Sequence, residues 1–187
     1  MAPRVRDVVR GGPRAVDAAD LELAAVVAVS GRSRAQLALP VGAAPRCRLF
    51  SPRAVVLSEV LPVLERLGVA VEDERAYLID DVAGESAPAR VVLSDLGLRA
   101  VVPAPNPDVV ATWERAVAAV WDGDAVDDDL NRLVLAGGLT LRGVHVVRTY
   151  ARWVHQALVP HSLATIERAL VEQAELAAGF VELFDHR

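Results

Sequence analysis

At 187 residues the chain can form one domain of ordinary size or two small ones, with a core that needs no metal or disulfide staple. The formal net charge is −5, and all 20 basic residues are Arg. No Arg-rich stripe interleaves with aromatics, which excludes nucleic acid as a partner. The all-Arg usage, beside abundant Ala, Val and Pro, reads as coding bias rather than selection for phosphate contacts. Cys47 is the one cysteine, so no internal disulfide can form, as suits a reducing compartment. The N-terminal Arg4, Arg6 and Arg10 are not followed by an apolar stretch, so no signal peptide is read. The longest apolar runs, such as Leu23 to Val29, are too short to span a bilayer. These features give a cytoplasmic protein that partners neither membrane nor nucleic acid.

Residues 1 to 13 carry Arg, Gly and Pro without periodicity and read as a tail. Ala15 to Val29 follows as a helix, ended by Gly31-Arg32-Ser33. Alternation then takes over, with strands at Gln36–Val41 and Arg46–Phe50 around a turn at Gly42–Pro45. Leu57–Leu67 is a helix with Ser58 as N-cap, Pro62 near its first turn and Gly68 as its stop. Its apolar stripe is Val60, Val63, Leu64 and Leu67. A strand runs from Val69 to Ile79, a loop occupies Gly84–Pro88, and a further strand spans Arg90 to Leu98 with Asp95 at its middle. Asn106-Pro107-Asp108 opens the next helix, where Trp113, Val117 and Val120 fall on one face. Trp113 is expected in the core and Trp121 against the chain that follows.

Four short strands with two helices on one face make a ferredoxin-like α+β sandwich, the architecture of ACT domains. The remaining chain is helical: Asp129–Ala136, Leu141–Ala157, Ser162 to about Val171, and Ala174–Phe184. A Gly137-Gly138 break precedes Thr140 as N-cap, and Val144, Val147, Ala151, Val154 and Leu158 form a stripe with Arg142, Arg148 and Arg152 off it. The organisation is therefore an N-terminal tail and helix over 1–32, an ACT-like domain over 33–123 and a helical segment over 124–187.

Two stretches of wording go further. "NRLVLAGGL" at 131–139 with "LRGVHVVRTYARW" at 141–153, and "LSEVLPVLERLGVAVEDERAY" at 57–77 with "SDLGLRA" at 94–100, resemble the large bacterial NAD-specific glutamate dehydrogenases. In that family these segments are the ACT-type domain and the helical region ahead of the catalytic domain. The chain departs from the family at Gly143, Leu141, Leu130 and Ala76, and Gly143 should weaken its helix by about 1 kcal/mol relative to Ala. The resemblance implies a non-catalytic regulatory or assembly fragment whose partner is the remainder of the parent enzyme. It implies NAD in that parent and no cofactor in this chain. No Gly-x-Gly-x-x-Gly follows a strand, and the sequence has no lysine, the residue such dehydrogenases use for substrate carboxylate and chemistry. A free-standing amino-acid-binding ACT protein and a ligand-free helical interaction module are the alternatives.

Ser51 to Ser58, between a strand and a helix start, is the best ligand candidate, because helix N-termini attract anions. Arg53 and Ser58 are its candidate effector contacts. Asp95 is a third, with a plain solvent-facing position as its other reading. Cys47 reads as a buried or half-buried small hydrophobe despite Arg46 and Arg48 beside it. His145, His155 and His161 read as surface or capping residues, since His145 and His155 are about three turns apart. The run from Asp122 to Asp129 lacks the glycine and bidentate Glu of a calcium loop and reads as dipole complementation at a helix start. Leu176, Phe180, Val181 and Phe184 form an apolar stripe only partly covered by Val144 and Val154. This stripe and the open strand edges predict a symmetric homodimer.

Overall fold

The computed structural model describes residues 4–7, 16–39, 44–80, 90–100, 105–157 and 160–186. The Gly84–Pro88 loop, Pro40 to Ala43 and Leu158 lie outside the described residues. α1 (Ala18–Ser30) opens with a capping box: the Asp17 side chain accepts from Asp20 N and the Asp20 side chain accepts from Asp17 N, each at 3.0 Å. Gly31 ends it in the left-handed conformation. β2 (Arg34–Ala38) and β3 (Arg46–Ser51) pair antiparallel, then α2 (Leu57–Arg66), β4 (Val69–Asp80), β5 (Val91–Ala100) and α3 (Pro107–Trp121) complete the α+β half. Asn106 caps α3 as expected, its side chain accepting from Val109 N.

The N-terminal tail reading needs correction. Arg4–Asp7 is a strand, β1, paired antiparallel to β4 with Arg4 opposite Asp80 and Asp7 opposite Tyr77. Four residues carry too little periodicity to signal a strand without a partner. The sheet is thus five-stranded and antiparallel throughout, in the order β1-β4-β5-β3-β2. The element order from β2 onward, β-β-α-β-β-α, is the ferredoxin-like β-α-β-β-α-β cycle read from a different starting strand.

Period-2 alternation gives each strand two faces. Cys47, Leu49, Leu96 and Leu98 meet α2 and α3, while Phe50, Tyr77, Ile79 and Leu93 meet α1 on the other side. α2 and α3 therefore share one face as read from the sequence, and α1, which was grouped with the tail, covers the second. A bulge between Val71 and Asp73 sets the face of the rest of β4. Trp113 is fully buried and donates from Nε1 to the Leu67 carbonyl, 3.0 Å away at the end of α2.

The helical half contains a 3-10 turn (Asp129–Arg132), α4 (Leu133–Ala136), α5 (Leu141–Gln156), α6 (Leu163–Glu172) and α7 (Ala174–Asp185). Its Leu130, Leu133, Val144 and Val181 belong to the same apolar cluster as Val60, Leu64, Trp113 and Val117. The two halves are held by one core. Gly143 has a packing reason here: a Cβ on it would lie 3.3 Å from Val181 Cγ1, so its absence lets α5 and α7 approach closely. No helix among the described residues is long and apolar enough to cross a membrane.

Candidate functional site

The three candidate effector residues do not meet. Ser58 is exposed and lies inside the first turn of α2; the N-cap position is Val56, with no side-chain cap. The helix starts two residues earlier than a Ser58 cap requires, and Pro62 consequently sits within the helix rather than in its first turn. Arg53 reaches from this helix start, where Glu59 lies in the first turn, to the end of α3. Its Nη2 donates to the Trp121 carbonyl at 2.6 Å, its Cζ lies 4.0 Å over the Trp121 ring, and Glu59 is 3.8 Å off. Trp121 in turn donates from Nε1 to Ser51 Oγ at 3.2 Å. Its polar partners are thus in the α+β half, not in the chain that follows. Arg53 clamps the end of α3 to the end of β3.

Asp95 is buried on the α1 face of the sheet, 3% exposed, which corrects the solvent-facing reading. The register sets Arg46 opposite Gly97 and Arg48 opposite Asp95 on β3, with Asp73 opposite Gly97 on β4. Arg46 Nε donates to Asp95 Oδ1 at 2.7 Å, and its Nη2 donates to the Asp95 carbonyl and to Asp73 Oδ1, each at 2.9 Å. Arg48 Nη1 donates at 2.6 Å to Asp20 Oδ1 on α1, and both residues are buried. Two arginines and three aspartates so form a paired polar row on this face of the sheet, with Asp20 of α1 at one end and the half-exposed Asp73 at the other. Gly97 makes room for it, because a Cβ there would fall 2.2 Å from Asp73 Oδ2. The signal in the sequence was the i, i+2 repeat of Arg46 and Arg48, which puts both on one strand face.

The electrostatics follow from the pairing. The hydrogen bond from Arg46 holds the Asp73 carboxyl below its ordinary value, with the guanidinium charge adding to it. Burial by itself would lower Arg46; its hydrogen bonds to Asp73 and Asp95 outweigh this and raise it. Burial pushes the Cys47 thiol up, and Glu114 and Asp95 push it further, so it is a core side chain rather than a nucleophile. The row orients α1 and fixes strand register.

The aspartate run serves pairing rather than a single helix dipole. Asp122 accepts from Ser33 N at 2.8 Å, Asp124 pairs with Arg32, and Asp127 pairs with Arg66. Asp128 takes Arg148 bidentately, at 2.5 Å from Nε and 2.8 Å from Nη2, and Asn131 Oδ1 accepts from the same guanidinium. Arg148 is 4% exposed, so the reading that placed it off the α5 stripe fails. At 100° per residue it lies only about 40° from Val144 and so falls within the buried arc. No group of three or more His, Cys, Asp or Glu among the described residues could hold a metal ion. His145 and His155 are exposed, and His155 Nδ1 lies 3.0 Å from the His161 carbonyl.

A hollow of about 720 Å³ lies elsewhere, on the outer side of α5 and α7, between His145, Val146, Thr149, Tyr150, Trp153 and Phe184. Another of about 370 Å³ lies between Gly68 and Ala70 on one side and Arg132, Leu135 and Val171 on the other.

Residues 34–108, from β2 to the first residues of α3, match the glutamate dehydrogenase ACT3 domain, and residues 125–187 match glutamate dehydrogenase helical motif 3. The chain matches a fragment of a large NAD-specific glutamate dehydrogenase. It is 33% identical over 138 residues to the NAD-specific glutamate dehydrogenase of Mycobacterium tuberculosis, covering 71% of this chain and 8% of that protein. The corresponding protein of Halomonas elongata is 30% identical over 149 residues, covering 78% of this chain and 9% of its own length. That of Pseudomonas aeruginosa is 32% identical over 152 residues, covering 75% and 9%. The chain thus spans less than a tenth of the curated glutamate dehydrogenases it matches. α3 runs from the end of the ACT3 match almost to the start of helical motif 3, and it carries Trp113 and Trp121 into the core that joins them.

Proposed function

We propose that this chain is a regulatory or assembly segment of an NAD-specific glutamate dehydrogenase, working in the cytoplasm and contributing no catalytic group of its own. NAD and glutamate would be bound by the parent enzyme, whose remaining domains are its partners. The observation that carries this reading is the single core shared by the ACT3 domain and helical motif 3. A strain applied to the sheet passes through α3 to the helices, because close-packed interiors transmit displacement. Of the two roles, assembly is better supported. Arg53 and Asp95 already have internal partners in the Trp121 carbonyl and Arg46.

A second reading, an amino-acid-binding module, draws on α2, whose start has no side-chain cap and could take an anion at its backbone amides. The test has two parts. Purified chain supplied with L-glutamate and NAD should form no NADH at any protein concentration, and turnover that scales with protein would end the non-catalytic reading. Calorimetric titration with the common L-amino acids should give no saturable heat. A saturable signal lost in Arg53→Ala would select the amino-acid-binding module instead.

A further inference from the structure

α7 is apolar on two sides. Ala177 and Val181 are buried against the core, yet Leu176, Phe180 and Leu183 are 71%, 36% and 61% exposed. These three recur at i, i+4 and i+7, the spacing of a helix stripe made to meet another helix. α5 presents a matching line, Val146, Tyr150 and Trp153, with Trp153 63% exposed. Tyr150 ties the lines together, its ring centroid 4.8 Å from that of Phe180, 6.0 Å from Phe184 and 6.5 Å from Trp153, all edge to face. Exposed aromatics on so large a patch mark an interaction surface.

The flanking residues say what it meets. Beside its apolar line α5 carries His145, Thr149 and Arg152, and α7 carries Glu175, Gly179 and Glu182 at the same 4-3 spacing. The charged side chains of α5 are all basic, and those of α7 are all acidic. Arg142 is already held by Asp185 and Arg148 by Asp128. That leaves Glu175 and Glu182 on α7 without a salt bridge among the described residues, while the charge of Arg152 on α5 is felt by Glu167 on α6 but makes no salt bridge there. Gly179 has nothing within 4 Å of a Cβ, which leaves a flat place for a neighbouring helix. A surface with a basic edge on one helix and an acidic edge on the other is complementary to itself under a two-fold rotation. β1 occupies the β4 edge, and Glu114 Oε1 accepts from Leu37 N on β2 at 2.7 Å.

We infer that this face is a homodimer interface, in which α5 of one protomer packs on α7 of its partner around Tyr150, Trp153, Phe180 and Leu183. The alternative pairing, α5 on α5, would set Arg152 and His145 against their own copies and is disfavoured. Sedimentation equilibrium of the full chain should give a closed dimer. Trp153→Glu and Leu183→Glu, both at exposed sites, should each give a monomer with an unchanged circular dichroism spectrum and melting temperature. Arg152→Glu and Glu182→Arg should each raise the dimer Kd about two- to fivefold, and the double reversal should restore it. A strict monomer at the highest soluble concentration would overturn the inference, leaving the face to another segment or protein. So would open-ended aggregation, a dimer indifferent to Trp153→Glu and Leu183→Glu, or tighter dimerisation of Arg152→Glu.

Discussion

The two faces of the sheet solve the same problem with opposite chemistry. Toward α2 and α3 the strands present Cys47, Leu49, Leu96 and Leu98, and the apolar cluster runs on without a break into helical motif 3. Toward α1 they present a smaller apolar cluster around Phe50, Tyr77 and Leu93, next to the paired row of Arg46, Arg48, Asp20, Asp73 and Asp95. Burial of apolar area is non-directional and tolerates small shifts, so the first face can join two segments into one body. Buried charge is directional: each guanidinium is satisfied in one register only, and a slipped strand would leave it unpaired in a dry environment. Area holds the first face; geometry holds the second.

The comparison breaks most visibly at Trp113. Trp113→Ala should cost about 3–5 kcal/mol by leaving a cavity at the centre of the shared core, and it strands the Leu67 carbonyl. Because that core is continuous, urea denaturation of the variant should show ACT3 and helical motif 3 unfolding in one displaced transition. Two separated transitions would mean the halves are energetically independent.

On the polar face, Arg46→Met should cost nearly as much, about 3–5 kcal/mol, since it leaves the buried Asp95 carboxylate without its cation. The double variant Arg46→Met/Asp95→Leu should recover most of the loss, because no charge then remains unpaired in the interior. Chemical denaturation of the two proteins side by side gives the answer. Failure of the double variant to recover would show that the row contributes net stability and not only specificity.

The smallest effects are pH-dependent and of opposite sign. Asp73 has its folded pKa lowered by Arg46, so its contribution is present above the ordinary carboxylate value and fades as pH falls through the folded one. Asp73 is half-exposed, and solvent screening keeps the contribution to a few tenths of a kcal/mol, up to about 1. Glu167 on α6 is the reverse case. Burial, with the nearby negative charge of Asp128, raises its pKa, so it favours the fold when protonated and loses that contribution as pH rises through the folded value. Asp73→Asn should therefore lower the melting temperature at neutral pH and Glu167→Gln should hold or raise it. The Glu167 difference should vanish once pH falls below the ordinary carboxylate range, and the Asp73 difference only further down, as pH falls through its lowered folded value.

Local chemistry made most of the fold legible. The Asn106-Pro107 and Thr140 helix starts, the Gly68 and Gly137-Gly138 breaks and the alternating strands each lie where turn and cap preferences put them. The wording around Asn131 and Leu57 likewise led to the glutamate dehydrogenase match over both halves. The candidate site was less legible. Arg53, Ser58 and Asp95 were chosen for residue type and position in the chain, but which face a strand residue takes, and what lies across from it, depends on register. Asp95 is buried with Arg46, which comes opposite Gly97 on the neighbouring strand and lies more than forty residues away in the chain.

What the sequence by itself determined is what depends on a few neighbouring residues: the helices of the ACT3 domain and helical motif 3, the strands from β2 onward, and the cap residues Asn106 and Thr140 that side-chain hydrogen bonds fix locally. Tertiary structure decided what depends on partners distant in the chain. Arg4–Asp7 becomes a strand only because β4 offers it an edge, and Arg148 can be buried only because Asp128 and Asn131 meet it there. Gly143 is a cost to an isolated helix and an advantage where α7 needs to come close. The physical reason is common to all three: backbone pairing, charge neutralisation and close packing each require a second group, and the chain brings that group only when it folds.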